Sequence, residues 1–540
     1  MSSEYYDYQL TVDKILDWAA IVSPNREIVY RDLRRYTFRS FADFVKRFAN
    51  GLKKLGVKKG ERIGVIDWDT DVYLNTYYSV PMIGAVLHTV NIRYPPELIY
   101  KTILHAEDKY LIIRDEFMPL VEKAKALIPP GMKIITYSDT KEKVKSSIET
   151  LDFWEIAESN EPLQEEPQIS ENDMATLFYT SGTTGEPKGV WFTHRKLVLH
   201  ALAVALVGIR PPLSLGPNDV YMILVPMFHV HSWGYPYISL LAGVKYVLPG
   251  RYDYGFILRL MDKEGVTFSA MVPTILHLII THPDAPKYLH VFKRWKVTLG
   301  GAATPEGLAR KAKELGITVI GGYGLSETCP VLTVGYHNSL IENADENTKF
   351  LEQISTGTPI PLVFIKVVDP EGKEVPRGKI GEIVVRAPWL TQEYYKDPEK
   401  TRGLWRGGWL HTGDLAYLDE YGYFHIVDRD KDAIKSGGEF IPSLLLESAI
   451  SMYPKVGQVA VVGVKDEKWG ERPVAFIVPK EKMTEDEIRQ FLMKLVDEGK
   501  IQKWWIPDKF IFVDSMPLTS TNKIDKKVLR EMANKMKQQG

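Results

Sequence analysis

The chain has 540 residues, a length that at about 150 residues per domain predicts three or four domain-sized units with large cores. Charged residues make up 25% and hydrophobic ones 45%, and 68 basic against 69 acidic side chains leave a net charge of -1, so nothing global points to nucleic acid or to an anionic membrane. The opening MSSEYYDYQL has neither a basic region nor an apolar core, and no apolar run of about 18 residues exists for a bilayer span, so the expectation is a cytoplasmic protein without a membrane span. The single cysteine, Cys329, excludes an internal disulfide and a cysteine-cluster metal site and reads as a packing residue.

In chain order, Phe41, Phe44, Val45, Phe48, Leu52 and Leu55 recur at helical spacing, with Ser40 as the expected N-cap and Gly56 as the stop. The strand RIGVI follows. Pro95 and Pro96 then open a helix that hands over to the apolar run Tyr110 to Ile113, and MATLFY and GVWFTH read as two further strands. Such alternation favours sheets covered by helices on both faces. Between Gly357 and Asp428 the texture changes to short β-rich pieces, with a turn around Asp419 to Gly422. The charged passage DRDKDAIKSGGE comes next, then a compact pattern with the strand QVAVVGV and the helix EDEIRQFLMKLVDEG. The expected division is a large unit over 1–428 (its β subdomain 357–428), a hinge at 429–434 and a C-terminal domain over 435–540.

Between the strands MATLFY and GVWFTH lies YTSGTTGEPKGV, with four small hydroxylated residues and three glycines around Lys188. A Walker-type P-loop fails here: counting from Gly182, Pro187 falls where the second glycine belongs, and Gly189 falls where Ser or Thr is required. The chemistry still suits phosphate, since backbone N–H groups approach closely, hydroxyls donate and the lysine neutralises charge. His229 and His231 in FHVHSW form an i, i+2 pair that a strand would place on one face, with no third ligand in view for zinc.

The same loop resembles the signature loop of the acyl-adenylate-forming enzymes, which include acyl-CoA synthetases, adenylation domains and firefly-type luciferases. Four further motifs follow in that family's order: GYGLSET at 322–328, HTGD at 411–414, DRDKDAIKSGGE at 428–439 and PLTSTNKIDK at 517–526. Within the family, PMFHVHSWGYPY, KSGGEFIPS and EKWGERPVAFIV are most similar to the medium- and long-chain fatty acyl-CoA synthetases. The resemblance implies an α/β fold, with two α/β sheet subdomains and a β subdomain in the large N-terminal domain and a small mobile α+β C-terminal domain. It also implies a two-step reaction. A carboxylate attacks the α-phosphate of ATP to give acyl-AMP and pyrophosphate, and the thiol of CoA then displaces AMP.

The resemblance assigns residues to each step. Thr180, Ser181, Gly182, Thr183, Thr184 and Lys188 would hold the β- and γ-phosphates, and Glu327 with the Thr184 hydroxyl would hold Mg2+. Tyr323, flanked by Gly322 and Gly324, would face adenine, with Gly301 and Ser326 also on the nucleotide. Asp414 and Arg429 would take the ribose, and Lys523 would bridge the carboxylate and the α-phosphate. Asn522 stands where the family usually has glycine, and asparagine tolerates the left-handed backbone. His229 would stand between the ATP site and the acyl pocket, with Trp233 as its gate and Gly300, Gly301 and Ala302 as its small-residue wall. Lys431 would be the hinge, and Lys435, Gly437, Gly438, Glu439 and Phe440 would border the path of CoA. The expected partners are the carboxylic acid, ATP and CoA, with a homodimer left open. Medium or longer fatty acids are the first reading of the substrate, and short, hydroxylated, thioether or aryl acids are the alternatives. A stand-alone enzyme that loads a carrier protein, a luciferase-type oxygenase and a ligand sensor are the other classes.

Overall fold

A computed structural model describes residues 4–180 and 186–539. Two large mixed sheets form the body. The first has seven strands in the order Leu151–Asp152, Lys133–Tyr137, Asp108–Arg114, Arg62–Ile66, Val86–Thr89, Met174–Thr180, Lys188–Thr193, with all neighbours parallel except the last antiparallel pair. The second has nine strands and places Phe268–Met271, Lys296–Leu299 and Thr318–Gly324 side by side in parallel. Phe268–Met271 is buried at every position and Lys296–Leu299 at all but the first, as expected for parallel strands covered on both faces.

The helix Phe38–Lys54 buries Phe41, Val45, Phe48 and Leu52 as their spacing predicts. It starts earlier than expected. Thr37, not Ser40, is the N-cap, and Ser40 sits at the third helical position, where the two residues form a reciprocal capping box. Between Phe364 and Arg429 a five-stranded antiparallel sheet forms the β subdomain. It is tied to the helix Glu346–Gln353 by His425, whose Nε2 lies 2.8 Å from Asp419 and 3.1 Å from Glu352. Those carboxylates push the imidazole up to about 9 despite its burial.

From Ile434 on, the chain packs around two cores of its own, one containing Leu446, Val461, Ile477 and Leu492 and the other Val462, Phe476 and Leu529. Their sheet has five strands. The strand that ends the β subdomain runs through Arg429, one residue past the expected boundary, so only residues 430–433 link it to the strand Ile434–Ser436. Hydrogen bonds tie the two parts, among them one from Ser443 N–H to Asp428 Oδ2 at 3.2 Å. Glu306 N–H and Gly307 N–H donate to the hydroxyls of Ser448 and Ser451, and the turn at 91–94 bonds the turn at 519–522. Among the described residues no helix is long and apolar enough to cross a membrane.

Candidate active site

The edge hairpin of the seven-stranded sheet sets up the first group. Thr180 pairs with Lys188 in antiparallel register, so the loop leaves and returns at one point. Ser181, Gly182, Thr183 and Thr184, assigned above to phosphate and metal, lie outside the described residues. Lys188 Nζ lies 3.1 Å from the Tyr394 hydroxyl, which it meets as donor, and 4.4 Å from the centre of that ring. The same hydroxyl donates to Glu327 Oε1 at 2.8 Å, and Lys188 stands 3.9 Å from that oxygen. Tyr394 thus joins the lysine and the carboxylate into one relay. Sequence reasoning missed it, because a tyrosine between Glu393 and Tyr395 carries no local signal for this role.

The second group closes on Asp414. The strand Thr318–Gly324 delivers Tyr323, whose hydroxyl donates to Asp414 Oδ2 at 2.6 Å. Arg429, opposite Asp414 in the antiparallel register, brings Nε to 3.4 Å from Oδ1. Burial raises the carboxyl above the ordinary aspartate value, opposed by Arg429 and by the Tyr323 hydrogen bond. A carboxylate offers about four lone-pair sites, so two such partners orient it and leave acceptor capacity for a ligand. Gly324 is fixed by close approach: a Cβ there would lie 1.8 Å from the Pro330 carbonyl oxygen. Ser326 and Glu327 then sit on a single 3-10 turn, held where Thr391 N–H donates to the Glu327 carbonyl.

Lys523 comes from the far end of the chain. The turn 519–522 has Asn522 in left-handed backbone, φ 62, as asparagine permits, and Lys523 N–H donates to Thr519 Oγ1 at 3.2 Å. The side chain arrives at Gly301, where a Cβ would be 2.9 Å from Lys523 Cε. Burial pushes the ammonium down to about 8, and Arg429 adds to this while Asp414 and Glu327 oppose it. All these groups therefore share one field.

The histidine pair differs from its expected form. Val230, His231, Ser232 and Trp233 have φ of 35, 57, 48 and 58, a left-handed run instead of a strand, so the two imidazoles do not share a strand face. His231 Nε2 lies 2.7 Å from the Thr176 hydroxyl, between Phe178 and Phe192. His229 stays near the lysine, and burial with the Lys523 charge pushes it down to about 3, so it is neutral. The run turns the buried Trp233 indole onto Gly300, where a Cβ would be 3.1 Å from the ring. Gly301 faces Lys523 and Val272, and Ala302 is exposed.

The residues assigned to CoA lie elsewhere. Lys435 pairs with Phe440 and Ser436 with Glu439 around a turn in which Gly437 and Gly438 have φ of 60 and 83. This hairpin is held by its own sheet, where Gly437 N–H donates to the Trp469 carbonyl and Lys435 N–H to Glu471. It takes no part in the Lys188, Asp414 and Lys523 groups in this arrangement. Lys431 is exposed in the link between the two parts.

The model of the AMP-binding enzyme family matches residues 16–395, and that of the AMP-binding enzyme C-terminal domain matches 445–523. A long-chain-fatty-acid–CoA ligase of Thermus thermophilus is 38% identical over 539 residues, 98% of this chain and 96% of that protein. A 3-methylmercaptopropionyl-CoA ligase of Ruegeria lacuscaerulensis is 35% identical over 536 residues, 97% of each chain. The crystal structure of an anthranilate CoA ligase in complex with anthranoyl-AMP superposes with a TM-score of 0.86, at 25% identity and 99% coverage of both chains. The chain belongs to the AMP-binding enzyme family, with the acyl-adenylate-forming fold and fatty acyl-CoA synthetases among its relatives. Its class is that of the AMP-forming acid–CoA ligases, which use ATP and CoA.

Proposed function

We propose that this ligase activates medium- or long-chain fatty acids and passes them to CoA through acyl-AMP. The observation that carries the reading is the meeting of three groups from distant parts of the chain. Lys523 reaches Gly301 while Asp414, Arg429 and Glu327 act on its charge. In this reading Tyr323 and Asp414 receive adenine and ribose, Lys188 gives up its contact with Glu327 for the phosphates, and Glu327 would hold the metal. Lys523 draws the negatively charged carboxylate and α-phosphate together, where a preorganised cation lowers the barrier to attack. Glu327 fits Mg2+, a hard cation that takes one or two protein carboxylates and completes its shell with phosphate and water oxygens. Neutral His229, between Lys523 and the expected acyl pocket, adds no competing charge.

A second transfer step needs CoA at the same carbonyl carbon, and the 434–441 hairpin reaches that carbon only if the C-terminal part turns about Lys431. The acid itself is read from the wall. Trp233 seated on Gly300 narrows it, which also supports a second reading, a short or thioether acid such as the one named for the Ruegeria relative.

The test is acid-dependent exchange of labelled pyrophosphate into ATP with magnesium and without CoA, run over acids from C2 to C18. Exchange that needs no acid would refute the reading. Replacing Trp233 by alanine is expected to move the preference toward longer acids, at roughly 1 to 3 kcal/mol per methylene accommodated. Gly301→Leu should act differently: its side chain would displace Lys523, so exchange should fall with every acid, short ones included. A profile unchanged in the first variant would place the pocket elsewhere.

A further inference from the structure

The tip of the turn that carries Lys523 is held by the opposite part of the molecule. Asn522 is buried, and its Oδ1 accepts from Arg93 Nη1. Two residues earlier, the Ser520 hydroxyl accepts from Asn91 Nδ2 at 3.0 Å. Asn91 and Arg93 belong to one rigid turn, in which Asn91 Oδ1 accepts from Arg93 N–H at 3.0 Å and Asn91 C=O from Tyr94 N–H at 3.3 Å. That turn follows the strand Val86–Thr89, next to the strand Met174–Thr180 that leads into the phosphate loop. The lysine turn is braced within itself as well: Thr519 N–H donates to Lys523 C=O at 2.7 Å and Asn522 N–H to Thr519 C=O at 3.1 Å.

A left-handed position on such a turn is one that glycine fills freely. Asparagine tolerates it and adds a side chain that makes a charge-assisted bond to a guanidinium, the stronger kind of hydrogen bond. The bond sits one residue from the ammonium that must be placed.

We propose that Arg93 and Asn522 form a latch in which Arg93, a positioning residue, holds the Lys523 turn in the adenylating arrangement and releases it for transfer to CoA. The latch rests on the proposed role of Lys523. Holding the turn lowers the number of positions Lys523 samples, which favours the first half-reaction. The same bond must break before the C-terminal part can turn, which slows the second.

The test uses the full-length enzyme as Asn522→Gly, Arg93→Ala and the double variant. Glycine keeps the left-handed backbone and deletes only the side-chain bond, so folding is spared. Asn522→Gly is expected to lower acid-dependent pyrophosphate exchange about 10-fold, the scale of one hydrogen bond to a charged group. Thioester formation from supplied acyl-AMP should hold or rise. The double variant should lose no more exchange than the Arg93 variant alone, because the partners act as a pair. Trypsin cleavage after Arg429 or Lys431 should be faster in the variants by about the same factor, and this readout needs no catalysis.

Equal loss of both half-reactions, losses that multiply in the double variant, or cleavage at the parent's rate would each overturn the latch. A parent enzyme without exchange on any acid would refute the functional reading instead, and cleavage would still decide the latch.

Discussion

Lys523→Ala is expected to lower acid-dependent pyrophosphate exchange by on the order of 10² or more, while thioester formation from supplied acyl-AMP persists. The ammonium arrives beside Gly301 from the C-terminal part. In the proposed reading its charge neutralises the carboxylate and α-phosphate as they approach, and alanine removes that preorganised charge. The second half-reaction expels AMP from an already activated carbonyl and has no such approach of two anions. The parent enzyme should also show the lysine in its pH profile. Burial and Arg429 push its value down to about 8, so the charged form dominates below that pH and is lost above it. Since kcat/KM reports the free enzyme, adenylation should fall as pH rises through about 8. A profile flat to pH 10, or equal losses in both half-reactions, would remove Lys523 from this role.

Lys431→Pro is expected to do the reverse, keeping most exchange and losing most thioester formation. Proline fixes φ near -65° and removes an N–H, which restricts a link that in the proposed reading adopts two backbone settings. The link is short, residues 430–433, and is anchored at Asp430, whose N–H donates to the Gly413 carbonyl, and at Asp432, which pairs with Arg530 at 2.7 Å. The dihedral change has few places to fall. Hinge positions of this kind alter a conformational step without touching the chemistry. Comparing exchange with thioester formation from supplied acyl-AMP in one preparation decides it, and proportional loss of both in a folded variant would mean a single fixed arrangement.

Much of this site is legible in the sequence because its parts are local. The strand register that places Thr180 opposite Lys188 follows from two apolar runs flanking a loop, and the stretch His411 to Asp414 that carries the aspartate is contiguous, within one strand. What escaped depends on distance along the chain. Tyr394 lies 67 residues from Glu327 and 206 from Lys188, and its neighbours differ little from surface residues. Arg93 meets Asn522 across 429 residues, so only the assembled fold reveals the pair. The left-handed run at 230–233 hides for another reason. HVHSW alternates as a strand does, and the backbone departs from that pattern only where Ser232 Oγ bonds the Val225 carbonyl and the surrounding core fixes the turn. The helix cap shows the smallest error: Thr37 and Ser40 share one capping box, and the residue types alone do not say which comes first.

The only cysteine acquires a use from its position. Cys329 is fully buried at the end of the turn that bears Glu327, with φ 81, and burial drives its thiol well above the usual range. A thiol reagent attacks the thiolate and must reach it, so the intact molecule offers such a reagent nothing. Labelling then proceeds only through transient opening of the region around the Ser326 to Thr328 turn, and its rate measures how often that opening occurs. One sulfur atom makes the protein its own stopwatch for that opening.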